Sequence, residues 1–305
     1  MPRSIRPAVI CAGHATLDAI VAVPRLPRPD ERLPATDGVL AGGGPAATAA
    51  VALARLGVPV AFAGRVGDDA AGTFVRDGLA REGVDVSLLA VVPGTTPFTT
   101  AIVGPHGDRA LIPTAGSLPP LAMTPRLRSA LAGTAWLHVD HAGAALLPGV
   151  RSLAPDVRVS VDGGNPIPGL SLAGVDCYAP TVAALLAFTR ARSVDAGIES
   201  ALAAGAGLVV ATDGASGAYA ARNEAGPVRV VRAPGRAVTG LVSTLGAGDA
   251  FHGGLLAALL ADRDLETALA MANAVAAAST RALDGRSALP DRAALDAMLA
   301  QEPVA

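Results

Sequence analysis

The stretch Ser243-Thr244-Leu245-Gly246-Ala247-Gly248-Asp249-Ala250-Phe251 decides how this 305-residue chain is read. An apolar, β-branched approach over residues 237–242 runs into a Gly-Ala-Gly turn. A proline-free run rich in Ala and Leu then continues to Ala261. That run has helical length, so the turn lies at a helix N-terminus. Gly246 and Gly248 allow backbone N–H groups to converge there, and the first turn of a helix leaves such donors free. Free donors and the positive end of the helix dipole together make an anion site. Asp249 is then a carboxylate beside a place built for negative charge. Two roles are open to it: a helix N-terminal charge worth under about 1 kcal/mol, or a general base beside a transferring phosphoryl group.

Composition narrows the classes. Hydrophobic residues make up 51% of the chain and charged ones 16%, as in a well-buried globular protein. The length fits one large α/β domain spanning residues 1–305. A formal charge of −2 without a basic cluster leaves no footprint for nucleic acid or an anionic membrane. Neither a membrane-length apolar run nor a signal-peptide pattern is present, and the two cysteines make no disulfide framework. A reducing cytoplasm is the expected location. All 24 basic residues are arginine. A P-loop lysine, a Schiff-base lysine and a lysine base are thereby excluded, so phosphate chemistry must rest on amides, arginine and metal.

Outward from the turn, strand-like and helix-like runs alternate. Residues 8–13, 60–66, 135–140, 157–162 and 208–212 read as buried strands. Helical runs are expected from the Gly42-Gly43-Gly44-Pro45 opening to Leu56, over 70–82, over 265–282 and over 290–300. This is the pattern of a doubly wound, mostly parallel sheet flanked by helices. Its ligands bind beyond the carboxyl ends of the strands, where Asp140-His141, Asp162 and Thr212-Asp213-Gly214 fall. Residues 98–103 and 109–113 flank Gly104-Pro105-His106-Gly107-Asp108 as a hairpin. With the Pro-rich passage after Asp18, it makes a small β appendage over about 18–41 and 92–117. A further hairpin is expected from residues 216–219 and 228–231.

Taken together, these residues resemble the PfkB/ribokinase family of carbohydrate kinases. Gly246-Ala247-Gly248-Asp249-Ala250-Phe251 is similar to the family's carboxy-terminal signature. Gly43-Gly44, the small-residue helix to Gly57, and Gly64-Arg65-Val66-Gly67-Asp68-Asp69 with Gly72 resemble its amino-terminal one. Gly13 followed by Asp18, and Thr212-x-Gly214-x-x-Gly217, fit as well. The resemblance implies a ribokinase-like fold with a β lid, and transfer of the γ-phosphoryl group of ATP, with Mg²⁺, to a hydroxyl of a small-molecule sugar. It makes Asp249 the base and the amides of Gly246, Ala247 and Gly248 the anion hole. It places Thr212, Gly214, Ser216, Gly217 and Asn273 around the nucleotide, and Asp18, Gly43 and Gly44 on sugar hydroxyls. It also implies a possible homodimer through the lid.

Departures from the family pattern carry expectations of their own. Thr48 stands where the family usually has Asn, and Ser243 where it usually has Asp near a monovalent-cation site. Thr181-Val182-Ala183-Ala184 replaces an Asn-x-x-Glu that organises Mg²⁺, so no protein ligand is assigned to the metal. Residues 42–52, Phe251-His252-Gly253 and 285–291 resemble the sulfofructose kinase branch. Arg32 lies where that branch places a basic residue, and His141 is a further candidate for substrate contact. Pro113 and His141 depart from its polar or basic groups. Arg109 is expected to pair with a lid carboxylate. His138, Asp140 and His141 invite a metal reading, but strand alternation divides them between two faces. Trp136, Cys11 and Cys177 read as core, and His14 and His106 as solvated. Two alternatives share the fold: a nucleoside kinase, and a catalytically silent sugar or nucleotide sensor. A dinucleotide-dependent oxidoreductase would need a third glycine where Phe251 stands.

Overall fold

The computed structural model describes residues 6–301, whose strands form two sheets. The larger sheet is centred on β1 (Val9–Ala12), which pairs in parallel with β4 (Val60–Gly67) and β8 (Trp136–Val139). β5 (Leu89–Val92) extends the β4 side in parallel. β9 (Arg158–Asp162), β10 (Cys177–Ala179) and β11 (Leu208–Thr212) extend the other side, also in parallel. β12 (Ala218–Arg222) and β13 (Val231–Ala233) finish that edge antiparallel. The smaller sheet, in the order β3-β2-β6-β7, comprises β2 (Thr16–Ala22), β3 (Asp37–Gly43), β6 (Phe98–Val103) and β7 (Arg109–Thr114).

Alternation along β1 sends Val9 and Cys11 to one face and Ile10 and Ala12 to the other, all fully buried, so both faces need helices. The first face packs α1 (Pro45–Arg55), α2 (Ala70–Arg81), α7 (Ala247–Leu260), α8 (Leu265–Ser279) and α9 (Arg292–Ala300). The second packs α3 (Pro125–Leu131), α4 (Leu147–Leu153), α5 (Val182–Thr189) and α6 (Val194–Ala203).

Small side chains set the helix spacing that builds the site. A Cβ on Gly253 of α7 would lie 2.5 Å from the Ala52 Cβ and 2.8 Å from the Ala49 carbonyl of α1. One on Gly254 would lie 3.0 Å from the Ala272 Cα of α8. Helices can approach this closely only where both surfaces are nearly bare. The chain then brings the N-termini of α1 and α7 to the same cavity, at Gly44 and Gly246.

The alternation reads correctly from sequence, and helix and strand limits shift by a few residues. The second hairpin starts later than expected, at Ala218 and Val231, because Gly217 takes φ 98° and bends the turn before the strand begins. The approach over 237–242 is irregular, with Leu241 and Val242 exposed. No described helix is long and apolar enough to cross a membrane.

Candidate active site

Between β1 and β8 the chain's connections turn to opposite sides of the sheet, which opens a crevice at the carboxyl ends of the two strands. Asp140, fully buried, organises that crevice through backbone donors. Its carboxylate accepts from the N–H groups of His14 (2.8 Å), Ala46 (3.2 Å), Ala142 (2.9 Å) and Gly143 (3.0 Å). The Ala46 bond caps the first turn of α1 from a distant strand, which the Gly44 N-cap cannot do itself. Gly13 is required because a Cβ there would overlap this carboxylate. Asp140 is spent on amides, and no group of three His, Cys, Asp or Glu among the described residues could hold a metal ion.

Gly42-Gly43-Gly44 forms one wall of the cavity, and each glycine makes room for a different group. A Cβ on Gly42 would lie 2.5 Å from Nη1 of Arg286; one on Gly43 would overlap the Asp18 carboxylate; one on Gly44, at φ 96°, would overlap the His14 carbonyl. Asp18, buried and lining the cavity, accepts from the Thr16 hydroxyl at 2.8 Å. Burial raises its carboxyl above the usual range, against the Thr16 bond and the nearby charge of Arg286. Thr48 also lines the cavity, and its hydroxyl accepts from Nε of Arg286 at 3.1 Å. Arg286 was not singled out from the sequence; the only signal available there was its place in the 285–291 stretch.

Opposite this wall stands the turn at α7. Gly246 is left-handed at φ 75°, and its Cβ would lie 2.8 Å from the Cα of Gly285, so two glycine backbones pack face to face. A Cβ on Gly248 would meet nothing within 4 Å. The Ala247 N–H turns toward the Thr244 carbonyl at 3.4 Å, while those of Gly246, Gly248 and Asp249 have no protein acceptor among the described residues. Asp249 lines the cavity together with Asp18 and Asp284. Removal from solvent, then the charge of Asp162, raise its carboxyl from 3.8 to about 7, against His252 and Arg286.

Behind Asp249 lies a buried ion pair that the sequence did not disclose. His252, one turn along α7, places Nε2 3.3 Å from Oδ1 of Asp162 at the end of β9. Burial alone would raise the Asp162 carboxyl, but the charge and hydrogen bond of His252 overcome it, helped by the Gly164 N–H at 2.8 Å. Burial likewise opposes a charged His252, and Asp162 overcomes that too. His138, whose Nδ1 stands 3.1 Å from the Ser160 hydroxyl, is pushed down to about 3 by burial and by His252.

The nucleotide candidates gather at the end of β11. Thr212 ends that strand, Gly214 and Ser216 form an exposed turn, and Gly217 lets the turn cross the backbone of residues 233–235. Asn273 stands behind that turn: its amide nitrogen donates to the Pro234 carbonyl at 2.9 Å and ties α8 to the crossing. In the segment replacing the acidic motif, Thr181 caps α5 through the Ala184 N–H at 3.1 Å.

Other expectations shift as well. Among the described residues Arg109 meets no carboxylate; it donates to the Thr244 hydroxyl at 2.6 Å, which itself donates to the Gly107 carbonyl at 3.1 Å. The β6–β7 hairpin is thus fastened to the residue that enters the Gly246–Asp249 turn. Arg32 is exposed in the Pro-rich passage and does not line the cavity. His141 also stands outside the lining, with its ring edge-on to His14 at 4.7 Å between centroids. His14 is part-buried there, not solvated.

The chain matches the model of the pfkB family of carbohydrate kinases over residues 6–151 and 170–292. It is 27% identical to the ribokinase of Haemophilus influenzae, covering 94% of this chain and 97% of that protein. It is 29% identical to the ATP-dependent ribose-1-phosphate kinase of Halopiger xanaduensis, covering 96% and 98%. Among solved structures, Arabidopsis thaliana ribokinase complexed with ribose and ATP superposes with a TM-score of 0.84 at 22% identity, covering 98% of this chain and all of that one. The family match spans most of the chain, and the chain belongs to the pfkB family of carbohydrate kinases, enzymes that phosphorylate sugars.

Proposed function

We propose that this kinase transfers the γ-phosphoryl group of MgATP to a hydroxyl of a small polyhydroxylated acceptor, with Asp249 as general base. One observation carries the reading: a carboxyl raised to about 7 meets, at one cavity, unpaired amides of a helix N-terminus. A base whose pKa lies near the working pH is ionised often enough to act and basic enough to take a hydroxyl proton, typically worth about 10²–10⁴ in rate. The amides of Gly246, Ala247 and Gly248 face the phosphoryl group as it transfers, the Ala247 N–H first releasing its long bond to Thr244. Donors at such a site are each worth about 10²–10³ in rate.

Asp18, the Gly43-Gly44 backbone and Thr48 hold acceptor hydroxyls. Thr212, Gly214, Ser216 and Gly217 border the nucleotide, with Asn273 fixing that border from behind. Mg²⁺ arrives on the nucleotide phosphates. The residues here do not build a site for it, since residues 181–184 carry no carboxylate and Asp162 is paired with His252. The four-stranded sheet acts as a lid that excludes water, which would otherwise compete with the acceptor. Its exposed Val39, Leu40, Leu111 and Ile112 support a homodimer through the lid. Two buried free cysteines fit a reducing cytoplasm. A net charge of −2 favours neither nucleic acid nor membrane as partner.

The test is ADP release by the purified protein with ribose, fructose, sulfofructose, ribose 1-phosphate and nucleosides, with and without Mg²⁺. Acceptor-dependent turnover that is lost in Asp249→Asn, with nucleotide binding retained, supports the reading. Nucleotide and sugar binding without turnover for any acceptor refutes it in favour of a sensor, and turnover confined to nucleosides replaces the sugar.

A further inference from the structure

Arg286 is buried in the loop after α8, yet among the described residues its guanidinium hydrogen-bonds neither that loop nor a carboxylate. Nε donates to the Thr48 hydroxyl at 3.1 Å and Nη2 to the Gly43 carbonyl at 2.7 Å. The loop itself is shaped by Asp284, which accepts from the N–H groups of Arg286 and Ser287, both at 2.7 Å. One guanidinium therefore joins β3, α1 and the 284–287 loop, and Gly42 is bare because Nη1 fills the place of its side chain. Asp18, Asp249 and Asp284 act on Arg286 only through space. A buried guanidinium without a contacting carboxylate is a costly device if stability is its only purpose. The cavity lining in front of it contains Asp18, Asp249 and Asp284 and no cationic side chain.

We propose that Arg286 is the positioning residue of the acceptor site, locking three elements into one floor and supplying the positive charge against which Asp18 and Asp249 ionise. Burial lowers its own pKa only to about 10, so it stays charged throughout the working range. The other groups facing Asp249 are Asp162, His252 and Asp140; those facing Asp18 are Thr16, Thr99 and Asp284. The consequence for turnover rests on the kinase reading above, whereas the effect on carboxylate charge does not.

The experiment compares full-length wild type with Arg286→Gln, which keeps a donor for Gly43 but no charge, and Arg286→Lys, which keeps the charge on a different shape. Titration of ¹³C-labelled aspartate carboxyls by NMR, with Asp18→Asn and Asp249→Asn identifying the two signals, reads ionisation without any acceptor. In Arg286→Gln both signals are expected to titrate at higher pH than in wild type. The acceptor KM is expected to rise roughly tenfold or more, while nucleotide Kd stays within about twofold. Arg286→Lys is expected to restore the titrations and leave KM raised. A folded Arg286→Gln protein that titrates like wild type overturns the proposal. A wild type that turns over no acceptor removes the kinase reading and leaves the titrations to judge Arg286. Should Arg286→Gln not fold, Gly42→Ala keeps the charge and puts a Cβ against Nη1, displacing the guanidinium from its place. A raised acceptor KM with unmoved titrations then supports the proposal, and an unchanged KM overturns it.

Discussion

Replacing the proposed base should make the protein more stable, not less. Holding an ionised carboxyl where its pKa has moved from 3.8 to about 7 costs about 4 kcal/mol. Asp249 is only part-buried by surface exposure and shares charge with Asp162 and His252, so we take about half, roughly 2 kcal/mol. The sign follows from proton counting. Between 3.8 and about 7 the folded state binds the proton more tightly than the unfolded one, so stability falls as pH rises through that window. The cost is absent at pH 4 and complete at pH 8. Asp249→Asn removes it while keeping the shape of the side chain. With an unfolding entropy of about 2.1 cal/mol/K per residue, 2 kcal/mol corresponds to a rise in Tm of about 3 °C for a chain of this size. Thermal melts of wild type and Asp249→Asn at pH 4 and pH 8 measure it directly. Equal Tm at pH 4, a variant about 3 °C higher at pH 8, and turnover reduced by at least about 10² form the expected pattern. A variant that melts at or below wild type at pH 8 refutes the idea that Asp249 is held under electrostatic strain in the cavity.

Three further outcomes follow from the same geometry. Asp18→Asn should raise the acceptor KM by about 10–100-fold with nucleotide Kd unchanged; a uniform loss of both affinities in a binding titration would count against its assignment. Gly44→Ala forces a side chain into φ 96° against the His14 carbonyl and should cost about 3 kcal/mol or more, read as a lowered urea midpoint. His252→Gln leaves Asp162 with a hydrogen bond but no cation. The His252 contribution is present below about 6.5 and lost as pH rises through its raised pKa. That of Asp162 is present above about 3.8 and lost as pH falls through its depressed one. The stability gap between wild type and His252→Gln is therefore expected to peak between about pH 4 and 6.5, at about 1–3 kcal/mol; a gap flat with pH in denaturant melts would show the pair to be uncharged.

What the sequence determined by itself is whatever short-range chemistry can specify. The alternation of buried β runs with helical runs announces a doubly wound sheet, because each period shows which face must be covered. The turn at Gly246–Asp249 is legible for the same reason: glycines, helix start and carboxylate are neighbours in the chain. So is the glycine wall at 42–44, although its purpose is not. Only the folded chain decides that Gly42 yields to Arg286, Gly43 to Asp18 and Gly44 to a crossing backbone, because those neighbours come from distant segments. The same holds for Asn273, drawn to the Pro234 carbonyl, and for Arg109, which finds a hydroxyl instead of a carboxylate. The roles of Asp140, His252 and Arg286 escape a linear reading because burial and through-space charge depend on distance between side chains, and local residue patterns carry no record of it.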